Sequence, residues 1–177
     1  WMPTWSRLSF DGHEKLYLQA FQGQPPDPSA QAWPLLCWIY EGLGYLTQDP
    51  RILTLFSCLV GAAAVAGAAL WAHRELSPMA GIWTALFVAL LPDHAAWSTS
   101  PYHVILPHTL LIWAFVLPRW WATVCVALAC SMRPELCLLA PFTGWPGLAG
   151  LVGLGWWFGV GAPSPAGSAW LAFQSNL

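Results

Sequence analysis

Residues 52–72 make 21 consecutive positions without a charged side chain, close to the roughly 20 apolar residues that an α-helix needs to cross the hydrocarbon core of a bilayer. The rest of the chain shares that character. Six Lys and Arg and eight Asp and Glu serve 177 residues, 57% of them hydrophobic, whereas about a quarter of an ordinary soluble chain is charged. The 14 Trp point the same way, because amphipathic indole rings settle at the membrane–water interface. With 15 Gly and 16 Pro the helices are expected to be broken often. These features predict an all-α fold: a polytopic transmembrane helix bundle with an extramembrane helical first loop. Nucleic acid is excluded as a partner, because six scattered basic residues on a chain of formal net charge −2 cannot neutralise a run of phosphates.

Three regions follow from the charge pattern. Residues 1–51 hold at least half of the charges, among them Arg7, Asp11, Glu14, Lys15, Asp27, Glu41 and Arg51, and are broken by Gln24-Pro25-Pro26-Asp27-Pro28. This region reads as an outer-face loop with short interfacial helices over residues 12–21 and 34–46. Residues 52–162 read as the transmembrane bundle, with further apolar runs at 79–91, 104–117, 120–132 and 145–160. Several of these are shorter than a span, so flanking residues at the interfaces or helices that stop at a cavity must supply the missing length. Residues 163–177 are expected to be a truncated or interfacial carboxy-terminal segment. No basic stretch precedes an apolar one at the start, so no signal peptide is legible, and the chain is expected to be a piece of something longer.

Orientation rests on two cations. Arg74 and Arg119 occupy alternate breaks between apolar runs, and the positive-inside tendency puts both on the cytoplasmic side. The opposite side then receives residues 1–51, the loop 92–103 and the turn Met132-Arg133-Pro134-Glu135. That side collects Asp11 and Glu14, Asp93 and His94, and Arg133 and Glu135. A carboxylate such as Asp11 can take a proton from an attacking hydroxyl. Asp93 and His94 are residue types that bind a divalent cation or a sugar, and Arg133 can hold a phosphate with two parallel bonds. Each has a plainer role beside the chemical one. Asp11 can cap the helix over 12–21 with Glu14 completing a capping-box-like pair, Asp93 can sit in a turn, His94 can be a solvated loop imidazole, and Arg133 with Glu135 can be an interfacial ion pair. Glu41 reads as interfacial, and His108 as bonded to a neighbouring helix.

The five cysteines contain no metal-type pair and read as small buried hydrophobes. Gly144, Gly147, Gly150 and Gly153 recur every three residues, with Gly155 and Gly159 four apart, a pattern that predicts close helix packing.

The order of motifs has a further meaning. Asp11-Gly12-His13-Glu14 is followed by Lys15-Leu16-Tyr17-Leu18-Gln19-Ala20, a Pro-rich stretch, Trp33-Pro34-Leu35-Leu36 and Gly42-Leu43-Gly44-Tyr45-Leu46 ahead of the long run. Ala89-Leu90-Leu91-Pro92, Ser98-Thr99-Ser100 and Met132-Arg133-Pro134-Glu135 come after it. Over residues 8 to about 140 this order resembles the amino-terminal half of the membrane module of GT-C fold glycosyltransferases, the class of the protein O-mannosyltransferases and the lipid A aminoarabinose transferases. The resemblance implies inverting transfer of a sugar from a polyprenyl-phosphate donor at the periplasmic or luminal face of the membrane, and for a bacterial chain the inner membrane. It implies Asp11 as the catalytic base with Glu14 as the second acidic position, and Asp93, with His94, Arg133 and Glu135, on the substrate side. The chain departs from the family in having no transmembrane helix before the acidic loop, no carboxy-terminal half, and an acidic dipeptide spread into Asp11-Gly12-His13-Glu14. Competing with the enzyme is a non-catalytic Trp-rich accessory subunit of a larger membrane complex, in which His94, His103 or His108 could ligate a pigment; a small transporter subunit fits least.

Overall fold

The computed structural model describes residues 13–24, 34–100 and 104–156, so Asp11, His103 and the segment 163–177 lie outside the described residues. Every described element is helical: α1 (His13–Phe21), α2 (Pro34–Leu46), α3 (Arg51–Glu75), α4 (Pro78–Leu90), α5 (Pro92–Thr99), α6 (Ile105–Ala114), α7 (Arg119–Met132), three 3-10 turns (Pro134–Leu138, Ala140–Thr143, Trp145–Leu148) and α8 (Ala149–Trp156).

Proline sets most of these boundaries. Pro50 and Pro118 are the residues before α3 and α7, and Pro78, Pro92 and Pro134 open α4, α5 and the first 3-10 turn. A missing N–H costs nothing where the first turn has no partner for it, so proline suits these positions. Ser77 completes the start of α4 by accepting from the Ala80 N–H at 3.1 Å, the hydroxyl cap that such a terminus favours. Leu91 shows the complementary effect. A residue before proline is pushed out of the helical region; Leu91 takes φ −61° and ψ 123°, and α4 and α5 meet there at a 65° bend. The expected loop 92–103 is therefore helical over its first eight residues. The run 104–117 is helical only to Ala114, and 145–160 opens with a 3-10 turn before α8.

Helix α3 is the axis of the fold, with α4, α5 and α6 packed along it. Its buried positions are Leu53, Thr54, Ser57, Val60, Gly61, Ala64, Gly67 and Ala72, a stripe of mostly small residues. Small side chains let backbones approach, and the structure uses that room. A Cβ at Gly61 would collide with the Ser98 side chain of α5, and one at Gly67 would lie 3.0 Å from Ile112 of α6. Polar groups then bond across the contact. Thr109 Oγ1 donates to the Val60 carbonyl at 3.3 Å, Trp113 Nε1–H to the Ala63 carbonyl at 2.9 Å, and Arg74 Nη1–H to the Val116 carbonyl at 2.7 Å.

This pairing fixes direction. Ascending positions on α6 meet ascending positions on α3, so the two run parallel, and α7 returns. Met132, the last residue of α7, joins Leu53 near the start of α3 in a buried cluster with Tyr17, Ala20 and Phe21 of α1 and Leu36, Cys37 and Tyr40 of α2. A second cluster joins Leu111 and Ala114 of α6 to Ala122, Val126, Ala129 and Cys130 of α7 and to Leu136. Arg74 and Arg119 thus share one end of α3, and Arg51 and Arg133 lie at the other.

Among the described residues α3 alone is long and apolar enough to cross a membrane, and α4 with α5 passes only as one bent pair. At about 1.5 Å per residue α6 and α7 reach only ~15 and ~21 Å, so the expected spans at 104–117 and 120–132 are shorter than a bilayer core. The expectation of buried cysteines holds for Cys37, Cys125 and Cys130; Cys137 is half-buried and Cys58 is exposed on α3. Gly144 does not pack a helix but turns the chain between two 3-10 segments at φ 74°.

Candidate functional site

The residues proposed from sequence are spread over three places. Glu14 lies in α1, which begins at His13, one residue after the expected Gly12. Asp93 is exposed in the first turn of α5, where a carboxylate is favoured by the positive end of the helix dipole; it is helical rather than part of a turn. His94 is half-buried, and its carbonyl accepts the Ser98 hydroxyl at 2.6 Å. Because Ser98 stands against Gly61, α5 meets α3 ten residues along from Arg51, or ~15 Å at helical rise. Arg133 is half-buried just beyond α7, takes an extended conformation before Pro134, and donates its N–H to the Ala129 carbonyl at 2.9 Å. Glu135 lies in the first 3-10 turn. The side chains of Glu14 and Glu135, like the whole of Asp11, lie outside what is described.

Two of the three groups are drawn to one end. Tyr17 and Phe21 of α1 share a buried cluster with Met132, which precedes Arg133. Helix α1 and the end of α7 therefore border one buried cluster, with α2 the element that packs against both, while Asp93 and His94 belong to the bend between α4 and α5. No group of three His, Cys, Asp or Glu suited to a metal occurs among the described residues.

The same end carries a cleft that the sequence reading did not anticipate. It has a volume of about 420 Å³ and is lined by Phe21, Gln22, Gly23, Glu41, Gly44, Tyr45 and Gln48. Helix α1 ends in a Schellman motif: the Gln24 N–H reaches the Gln19 carbonyl, the Gly23 N–H reaches that of Ala20, and Gly23 has φ 67°. Only glycine takes that conformation without strain. Gly44 of α2 then lies so close to the Phe21 carbonyl that a Cβ there would overlap it. The two helix ends touch at this point and the cleft opens beside it.

Within the cleft the Tyr45 hydroxyl donates to Glu41 Oε1 at 3.1 Å, one helical turn away. That bond to the carboxylate raises the phenol above its ordinary range. Beneath the cleft the surroundings are apolar. Tyr17 and Tyr40 pack with ring centroids 4.9 Å apart, and Tyr40 meets Phe56 edge-on at 6.0 Å. Burial pushes the Cys37 thiol up to about 11, helped by the Glu41 charge, and raises the Tyr40 phenol against the opposing bond from Ser57. The spacing of Glu41 and Tyr45 at i and i+4 was a legible signal that the two side chains meet. That α1 would end against them was not. His108 Nδ1 lies 2.7 Å from the Val104 carbonyl of its own helix segment, with the ring 6.5 Å from that of Trp97 on α5.

No family model, no curated protein and no solved structure matches this chain.

Proposed function

We propose that the chain is a membrane-embedded helical unit of a glycosyltransferase that moves a sugar from a polyprenyl-phosphate donor to an acceptor at the periplasmic or luminal face. The embedding is supported by the length of α3 and by the outward side chains beside it: Trp83, Phe87 and Leu90 of α4 are 64%, 68% and 77% exposed. Apolar surface of that breadth is rare on a soluble monomer and suits lipid. A polytopic arrangement would have α4 and α5 enter as one bent element, with α6 and α7 lying against α3 as partial spans.

The chemistry rests on one observation, that α1 and the end of α7 border one buried cluster through α2. Asp11, two residues before α1, would accept the proton of the acceptor hydroxyl as its oxygen bonds to the anomeric carbon. The bond from that carbon to the donor phosphate breaks with inversion, and Arg133 offsets the charge on the departing polyprenyl phosphate. Glu14 is the second acidic position. Asp93, His94 and Glu135 would act on the substrate side, with any divalent cation held by Asp93 and His94.

Asp11→Asn in the full-length protein separates base from cap, since Asn caps a helix nearly as well as Asp but cannot take the proton. Transfer from polyprenyl-phosphate sugars is expected to fall about a hundredfold or more, the scale of lost general-base catalysis, with folding retained. Retained transfer would move the base elsewhere. Absence of transfer by the wild-type protein with every such donor would favour a non-catalytic accessory subunit, a reading consistent with the exposed apolar face of α4.

A further inference from the structure

We propose that the cleft between the ends of α1 and α2 binds a primary ammonium group. Four features converge there. The cleft is lined by the last turn of α1 with its cap and by the last turn of α2 with Gln48, and each helix C-terminus carries a partial negative charge near half a unit. Neither helix has a basic residue in its last turn to offset that charge. The Glu41 carboxylate adds a full negative charge between the two ends, and among the described residues no Lys, Arg or His lines the space. An anionic ligand such as a phosphate is therefore repelled, and a cation is drawn in.

The acceptors select the kind of cation. A primary ammonium has three N–H donors and no acceptor. The lining supplies the Glu41 carboxylate and the residues Gln22 and Gln48, whose side-chain amides each carry an acceptor oxygen. The Schellman bonds engage the carbonyls of Gln19 and Ala20 and the Phe21 carbonyl is packed against Gly44, so this helix end acts on a cation through its partial charge. The Tyr45 ring, 82% exposed while its hydroxyl is tied to Glu41, offers its face to a positive charge. A quaternary ammonium would gain the ring and the charge but none of these hydrogen bonds. The ammonium can come from the headgroup of a lipid such as phosphatidylethanolamine or from a free amine, and the site does not depend on the transferase reading.

The test uses the full-length protein with two probes. In phosphatidylcholine nanodiscs doped with phosphatidylethanolamine or phosphatidylglycerol, the lipids retained after solubilisation are counted by mass spectrometry. In detergent, ethanolamine, tetramethylammonium and methyl α-glucoside are compared by ligand-observed NMR. Phosphatidylethanolamine retention at least tenfold above phosphatidylglycerol identifies the lipid source. Ethanolamine binding without lipid enrichment identifies a free amine. In either case Glu41→Gln should weaken binding at least tenfold, Tyr45→Leu severalfold and Tyr45→Phe little, while tetramethylammonium binds more weakly than ethanolamine. Gln48→Glu, which adds a charge at the rim, should strengthen binding and so reports on the site even if a loss variant folds poorly. The proposal fails if neither ammonium probe binds, if Glu41→Gln leaves binding unchanged, or if the glucoside binds better than ethanolamine.

Discussion

The α1–α2 pair and the α3–α6 contact are held by different physics within one small fold. The α1–α2 pair is closed by large buried side chains, Tyr17, Phe21, Leu36 and Tyr40 packed on Leu53, and so depends on the removal of apolar surface from water. Across α3 and α6 the buried face of α3 is small, Ser57, Val60, Gly61, Ala64 and Gly67, and the contact is completed by bonds from Thr109 and Trp113 to backbone carbonyls. Where lipid replaces water, helices gain nothing by hiding Leu from solvent, and close approach with interhelical hydrogen bonds is what remains. The contrast is between a core of large apolar side chains at the Arg51 end and a small-residue, hydrogen-bonded contact beyond it.

The largest expected effect falls on the α1–α2 pair. Leu36 is fully buried, so Leu36→Ala should cost about 2–5 kcal/mol through lost transfer energy and the cavity it leaves. Unfolding of α1 and α2, followed by hydrogen exchange in detergent, should show the loss there first while α3 to α6 stay protected. Equal loss of protection in both regions would mean that the two cores are one cooperative unit.

A smaller cost is expected where α5 crosses α3. Gly61→Ala places a Cβ 2.5 Å from Ser98 Cβ, and overpacking of this kind costs about 1–3 kcal/mol. Ser98→Gly removes the colliding group, so the double variant should recover most of the loss in thermal unfolding. A sum of two independent losses would show that the crossing is not limited by this contact.

Next comes the bond from Trp113. Trp113→Phe keeps an aromatic ring but removes the N–H that reaches the Ala63 carbonyl, which should lower stability by about 0.6–1.5 kcal/mol. If Thr109→Val and Trp113→Phe together leave the thermal transition where it is, packing alone holds α6 on α3.

The smallest effect concerns Cys37. Its thiol sits near 11 instead of the usual 8 to 9, because burial and the Glu41 charge both disfavour the thiolate. In a variant retaining only this cysteine, alkylation of the folded protein should climb about tenfold per pH unit from pH 7 to pH 10, since the thiolate fraction rises tenfold per unit below the pKa. A plateau near pH 9 would place the thiol outside the α1–α2 core.

Much of the helical framework is readable from local chemistry. Residues 34–46 are the bounds of α2, and the 21-residue uncharged run lies inside α3. The expected start at Trp120 differs from that of α7 by one residue. In the sequence Pro92 looks like an end and 92–103 like a loop, yet the same residue that stops α4 opens α5. Proline has both effects, and only the conformation of the preceding residue separates them. Of the candidate site, the polar residue types at the breaks are readable in the sequence, whereas the distance of the α5 crossing from the Arg51 end is not. That depends on where a 65° bend falls along α3.

By itself the sequence determined that this chain is helical, where proline starts and stops its helices, and that one helix is long and apolar enough for a bilayer. These are properties of neighbouring residues, set by backbone sterics and by an uninterrupted apolar run. Tertiary structure alone decided that Gly61 meets Ser98, that Trp113 reaches the Ala63 carbonyl, and that the ends of α1 and α2 enclose Glu41 and Tyr45. Such contacts join positions tens of residues apart and depend on shape and on which carbonyls are left accessible, quantities that no local pattern carries.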